Sequence, residues 1–280
     1  MHPSRFEFWR EKDNFGVDMA KIYHFSGAGN DFVVLDGRRE DLSVYRDAVD
    51  IGRLCREYRT DGLMILSEGA PDVDFTMEFY NPDGSSGMMC GNGGRCIAAF
   101  ADLLGIPYKG SYLFRAADGL HTAEILSREG SRWIVRLGMK DVEGVTPVFG
   151  GYFLDTGTRH FVKFVPDVEA VDIDSEGPAL RHAPEFAPAG TNVNFVQLLP
   201  GGGIKVRTFE KGVEGETLAC GTGITASALA TAFSGQLPGT GMATSHKVVV
   251  HARKDALEVD FTTEGARFTG VHLTGPAELL

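Results

Sequence analysis

Two cysteines stand where a thiol could do chemistry. Cys90 opens the segment Cys90-Gly91-Asn92-Gly93, and Cys220 opens Cys220-Gly221-Thr222-Gly223. Each precedes a run of small, apolar residues that reads as a buried helix. A helix N-terminus carries unpaired N–H groups and roughly half a positive charge, so it favours a thiolate and receives anions. The glycines let a ligand come close to the backbone. Two such thiols facing each other form a pair of proton carriers. One abstracts a proton from a carbon and the other delivers a proton to the opposite face, and running the reaction backwards exchanges the roles. N–H donors aimed at a carboxylate would stabilise the carbanion that develops beside it.

The elements that carry these cysteines repeat. The two segments lie 130 residues apart. Phe79-Tyr80-Asn81 begins 11 residues before Cys90, and Phe209-Glu210-Lys211 begins 11 before Cys220. Asn30-Asp31-Phe32-Val33 matches Arg159-His160-Phe161-Val162, and Gly62-Leu63 matches Asn192-Val193, at offsets of 129 and 130. One Cys-Gly-x-Gly is weak evidence; two in matched surroundings argue for a duplicated unit. The expected architecture is α+β. Two pseudo-symmetric domains each wrap a mixed or antiparallel sheet, or barrel, around a central helix. Residues 1–19 read as an extension, 20–137 as the first half and 138–267 as the second, with 268–280 returning to the first.

Short strands separated by glycine turns dominate from Lys21 onward. An amphipathic helix is expected from a Ser43 N-cap through Val44, Ala48, Ile51, Cys55 and Tyr58. The cysteine-led helices are expected near 92–104 and 223–233. Cys55 and Cys96 fall on packed faces and read as core, and Asp83 and Glu216 as loop caps.

Composition removes other classes. With 27 Lys+Arg against 38 Asp+Glu, the net charge of −11 lacks the basic footprint of a nucleic-acid binder. Four cysteines, none in C-x-x-C spacing, suggest neither a disulfide scaffold nor a zinc site, but reduced thiols in a cytoplasmic protein. No apolar run is long enough for a transmembrane helix, and the first residues lack the apolar stretch of a signal peptide. No nucleotide, flavin or P-loop motif occurs, and nothing points to a lysine-linked pyridoxal site.

The segments Gly27-Ala28-Gly29-Asn30-Asp31-Phe32, Asn81-Pro82-Asp83-Gly84-Ser85, Cys90 to Cys96 and Gly215 to Gly223 closely resemble the diaminopimelate epimerase family. The resemblance implies cofactor-independent interconversion of LL- and meso-diaminopimelate in lysine and peptidoglycan-precursor synthesis, often by a homodimer. It implies Cys90 and Cys220 as the acid/base pair, and Gly91, Asn92, Gly221 and Thr222 as the carboxylate cradle. Asn30, Asn81 and Asn192 match substrate-binding asparagines, and Glu210 matches a substrate-binding acid. Glu210 and His160 match residues that tune the cysteines. Thr158 and Lys211 stand where the family usually has Asn and Arg to grip the far end of the substrate. Gly62 stands where the family often has Gln. Arg159 is extra to the pattern and is expected to supply part of the missing carboxylate contact. A racemase of the same fold acting on another amino acid, such as histidine, and a non-catalytic thiol redox or binding protein are the alternatives.

Overall fold

The computed structural model describes residues 20–38, 42–87, 89–237 and 244–280. The proposed extension, residues 1–19, lies outside the described residues.

The first half runs β1 (Ile22–Gly27), β2 (Asn30–Asp36), α1 (Ala48–Tyr58), β3 (Gly62–Glu68), β4 (Phe75–Tyr80), α2 (Gly91–Leu103), β5 (Tyr112–Ala116), β6 (Gly119–Glu129) and β7 (Arg132–Gly138). The second runs β8 (Thr146–Val148), β9 (Gly151–Asp155), β10 (Arg159–Phe164), α3 (Ile173–Arg181), β11 (Asn192–Leu198), β12 (Ile204–Glu210), β13 (Gly215–Thr217), α4 (Gly221–Phe233), β14 (Thr244–His251), β15 (Ala256–Glu264) and β16 (Arg267–Leu279).

The duplication is visible in the pairing. From β1 to β7 the neighbours pair antiparallel, parallel, antiparallel, parallel, antiparallel and antiparallel. The path β9, β10, β11, β12, β14, β15, β16 repeats that order step for step. Each parallel step needs a crossover, and helices supply it: α1 and α3 for the first, α2 and α4 for the second. All the strands join one continuous sheet. β16 serves both halves. Its first part pairs with β15, and Gly275–Glu278 pair with β7. Leu279 then reaches Phe25 of β1, closing eight strands around α2. The expectation that everything from Phe268 returns to the first half is thus corrected: residues 267–274 complete the second half first, because one strand this long can span two barrels.

The strands between the helices are buried on both faces. In β2 and β3, Phe32, Val34, Met64 and Leu66 face the core around α2, while Val33, Leu35, Leu63 and Ile65 face the core under α1. This alternation of two cores produces the unbroken apolar runs in the sequence. In the second half, Val193 and Phe195 pack with Ile173 of α3, and Val196 packs on the α4 side.

α2 begins with three glycines in four residues, a poor helix former by propensity, so packing must hold it. Gly91 through Ala101 are all buried. The Phe100 ring lies edge-on to Tyr23 at 4.7 Å and to Phe25 at 5.8 Å; truncating it to alanine would cost about 3–5 kcal/mol. α4 carries buried Thr225, Ser227 and Thr231. Each hydroxyl donates to the carbonyl four residues back, at 2.7–2.9 Å, so no buried hydroxyl of the three is left unpaired.

α1 differs from expectation at its start. Asp47 is its N-cap, accepting from Val49 N, and Ser43 belongs to a preceding 3-10 turn. Ala48 is exposed, while Ile51, Leu54 and Cys55 form the buried face. The side chains of Ser43 and Val44 lie outside the described residues. α3 is absent from the sequence reading, because Gly177 and Pro178 interrupt its periodicity; its cap is Asp172, which accepts from Ser175 N.

Candidate active site

The site is built where α2 and α4 start. Cys90 and Cys220 are the N-cap residues of these helices, both with extended backbone. The helix tips touch. A Cβ placed on Gly91 would lie 3.2 Å from the Gly221 Cα, and one on Gly221 would lie 3.0 Å from the Gly91 Cα. Leu273 of β16 closes the floor, 2.9 and 3.2 Å from the same two Cβ positions. Only glycine permits backbones this close, so the two macrodipoles converge on one place.

Around Cys90 the donors are backbone groups. Gly93 N–H donates to the Cys90 sulfur at 3.2 Å. The Asn92 amide donates to Asn30 Oδ1 at 2.6 Å and to Ala219 O at 3.2 Å, tying the first half to the loop before Cys220. Asn30 donates in turn to Asp61 Oδ2 at 3.1 Å.

Around Cys220 the donors form a relay. The Asn194 amide donates to His160 Nδ1 at 3.0 Å, and Asn194 Oδ1 accepts from the Thr208 hydroxyl at 3.0 Å. That amide fixes the imidazole as the tautomer with its proton on Nε2. Nε2 lies 3.0 Å from Thr222 Oγ1 and 2.9 Å from Thr158 Oγ1. Thr222 Oγ1 stands 3.4 Å from the Cys220 sulfur. With Nε2–H donating to Thr222, the threonine hydroxyl proton is free to point at sulfur. Burial pushes the His160 pKa down to about 3, so the ring works as a neutral donor and not as a cation. Gly223 makes room: a Cβ there would come within 2.4 Å of Asn194 Oδ1.

Both catalytic-candidate thiols are pushed up, not down. Burial raises Cys90, with Gly93 N–H and the Arg95 charge opposing it and Glu210 reinforcing it. Burial and then the Glu210 carboxylate push Cys220 up to about 12. The sequence reading of a lowered thiol weighed the helix dipole alone; desolvation outweighs it here. Glu210 is itself raised, by burial and then by the Asp61 carboxylate, although the Thr217 hydroxyl donates to it at 3.0 Å. Cys55 and Cys96 are buried in their cores, and all four cysteines are free thiols.

The remaining candidates cluster at the rim. Asn192 donates to Arg159 O at 3.1 Å and to Thr158 Oγ1 at 3.4 Å, and it accepts from Lys211 N at 2.8 Å. Thr158 and Lys211 are exposed. Asn81 stands in the turn after β4, its amide donating to Ser85 Oγ at 3.0 Å. Arg159 is turned to other work: it donates to Phe186 O at 3.3 Å and lies 5.1 Å over the Phe153 ring. Its expected carboxylate contact is therefore withdrawn. Asp83 accepts from Ser85, and Glu216 pairs with Arg207 and Arg253, as loop caps do.

A family model described as diaminopimelate epimerase matches residues 22–142 and 152–280. A curated relative named diaminopimelate epimerase, from Flavobacterium psychrophilum, is 40% identical over 263 residues, spanning 93% of this chain and 98% of its own. Another of that name, from Aquifex aeolicus, is 41% identical over 231 residues, spanning 77% and 82%. The chain belongs to the diaminopimelate epimerase family. Solved structures extend the fold, though not the chemistry, to more distant proteins. A hydroxyproline epimerase from Agrobacterium vitis aligns with a TM-score of 0.63 at 16% identity, covering 92% of this chain and 88% of that one. A PhzF-family phenazine biosynthesis protein from Bacillus anthracis aligns with a TM-score of 0.69 at 12% identity, covering 92% and 96%.

Within this epimerase-family site, sequence reasoning missed Asp61, Arg95, Asn194 and Thr208. Asp61 reads as a helix stop and Arg95 as one residue of a helix. Asn194 and Thr208 lie inside apolar strands, and a polar residue in a strand buried on both faces was the signal that could have found them.

Among the described residues no group of three or more His, Cys, Asp or Glu is placed to hold a metal, and no helix is long and apolar enough to cross a membrane.

Proposed function

We propose that this protein interconverts LL- and meso-diaminopimelate without a cofactor, using Cys90 and Cys220 as the proton carriers. The observation that carries the reading is the meeting of two cysteine-capped helix N-termini at Gly91 and Gly221. The substrate α-carboxylate sits over the free N–H groups of Gly91, Asn92, Gly221 and Thr222, with an α-carbon face toward each sulfur. One thiolate takes the α-proton, and the C–H electron pair delocalises into the carboxylate. The other thiol gives its proton to the opposite face, which inverts the centre and leaves its sulfur as the thiolate. The macrodipoles and N–H donors stabilise the added negative charge in a water-poor setting. Burial has a second use. A desolvated thiolate is a stronger base, which suits it to a very weak carbon acid.

Asn30, Asn81, Thr158, Asn192, Glu210 and Lys211 bind the rest of the substrate, and His160, through Thr222, together with Glu210 tunes Cys220. Lys211 contributes a point charge where a guanidinium would contribute a fork. The wider setting of the reading is a cytoplasmic homodimer with halves at 20–137 and 138–274, residues 275–280 returning to the first, serving lysine and peptidoglycan-precursor synthesis. The test is incubation of the reduced protein with LL-diaminopimelate in deuterated water. Deuterium at the α-carbon with formation of the meso isomer is expected. Absence of exchange with this substrate, but exchange with another amino acid, would replace the reading with a racemase.

A further inference from the structure

Arg95 is fully buried one turn into α2. Its guanidinium donates to Gly91 O at 3.0 Å, to Asn92 Oδ1 at 2.8 Å and to Pro276 O of β16 at 3.3 Å. All three acceptors are neutral, and among the described residues no carboxylate forms an ion pair with it. A buried cation without a partner is costly to keep. Its seat is also shaped for it, since a Cβ on Gly275 would lie 3.2 Å from Arg95 Nε.

The duplication provides an internal comparison. Thr225 holds the same place in α4, 130 residues on. Its hydroxyl donates to Gly221 O at 2.9 Å, as Arg95 does to Gly91 O, each reaching four residues back. A neutral threonine is enough to cap that carbonyl, so the backbone bond alone does not explain an arginine. What Arg95 adds is a positive charge and a clamp joining the α2 tip to β16. The other charged or titratable groups acting on these positions are Cys96 from α2, Glu210 from β12, Cys220 from α4, Asp31 from β2, Asp61 before β3 and Asp255 from the turn before β15. Glu210 acts on both thiols and ranks second only to burial at Cys220; Arg95 acts on Cys90.

We propose that Arg95 is a positioning residue that makes the two cysteines unequal: its buried cation holds the α2 tip and favours negative charge at Cys90 over Cys220. This rests on the reading of the two cysteines as a proton-exchanging pair.

The experiment follows alkylation of each cysteine by iodoacetamide across pH, resolved by peptide mass spectrometry, in the full-length reduced protein. The midpoint of each profile reports thiolate formation independently of access. In the native protein the Cys90 midpoint is expected below that of Cys220. Arg95→Met should raise the Cys90 midpoint by about one pH unit, a tenfold loss of thiolate on the alkaline approach, and leave Cys220 in place. Arg95→Lys keeps the charge without the fork, so the Cys90 preference should survive while turnover falls; it decides the matter where Arg95→Met does not fold. A native Cys90 midpoint at or above that of Cys220, an unmoved gap in Arg95→Met, or a closed gap in Arg95→Lys would overturn the proposal. Deuterium exchange on the same native sample separates the two ideas. No exchange sinks the epimerase reading, while the alkylation midpoints still judge Arg95.

Discussion

Gly221→Ala places one methyl group between the two helix tips. The added carbon would sit 3.0 Å from Gly91 Cα, 3.2 Å from Leu273 Cδ2 and 3.4 Å from Gly91 N. Carbon atoms rest at about 3.5–4.0 Å, so the tips must part by about half an ångström or more. Two of the three obstacles are backbone, and Leu273 is fully buried, so no side chain can swing aside. Overpacking of this kind costs about 1–3 kcal/mol, and exchanging glycine for alanine in a helix returns up to about 1 kcal/mol. The net loss of stability is then about 0–2 kcal/mol, small enough to leave the protein folded. Catalysis should suffer far more. Displacing reacting groups by about 1 Å can cost about 100-fold, and here both N-terminal cradles and both sulfurs shift relative to one bound carboxylate. The assay is inversion of LL-diaminopimelate beside urea unfolding, with Gly144→Ala as control, because a Cβ at Gly144 meets nothing within 4 Å. Turnover within threefold of native, in a Gly221→Ala protein of native-like stability, would refute the idea that the approach of the tips matters to the reaction.

Other outcomes follow from the same geometry. Thr222→Val removes the hydroxyl between His160 and the Cys220 sulfur; a hydrogen bond to a charged group contributes about 1.5–3 kcal/mol, so kcat should fall by about 10- to 100-fold with little change in unfolding midpoint. The His160 pKa lies at about 3 in the fold and near 6.5 when unfolded, so the unfolded chain binds the extra proton. The corresponding stability is present above about pH 6.5 and is lost as pH falls toward 3, and His160→Gln should flatten unfolding curves in that window. A Gln at Gly62 would overlap the Phe79 ring with its Cβ alone. Gly62→Gln should therefore destabilise by about 1–3 kcal/mol, and Gly62→Gln with Phe79→Leu should recover part of it, a non-additivity measurable by a double-mutant cycle.

The features that survived from sequence to structure are those repeated along the chain. Cys90 and Cys220 could be paired because the strand–loop–helix pattern around each is the same, and the pairing order from β1 to β7 and from β9 to β16 follows it. Cys55 and Cys96 were separable from them by helical spacing alone. What stayed hidden depended on contacts across long separations. Arg95 meets Pro276, and Asn92 meets Asn30 and Ala219, none of which periodicity can report. The rise of the thiol pKa values was hidden for the same reason: the helix dipole is local and legible, whereas desolvation arises from the packing of residues far apart in sequence. Arg159 misled because its position in the motif says nothing of the Phe153 ring and the Phe186 carbonyl that claim its side chain.

The shared strand β16 also governs how the protein can be made. The barrel around α2 lacks one wall until residues 275–279 are synthesised, since Leu279 must reach back to Phe25. Until then β1 and β7 present open edges, the kind of surface that pairs with stray strands. Domains that fold as they leave the ribosome normally do so from the N-terminus, but here the first half cannot close ahead of the second. Loss of residues 275–280 would consequently unmake the half farthest from them in sequence. Residues 275–279 thus complete the barrel that Ile22 begins.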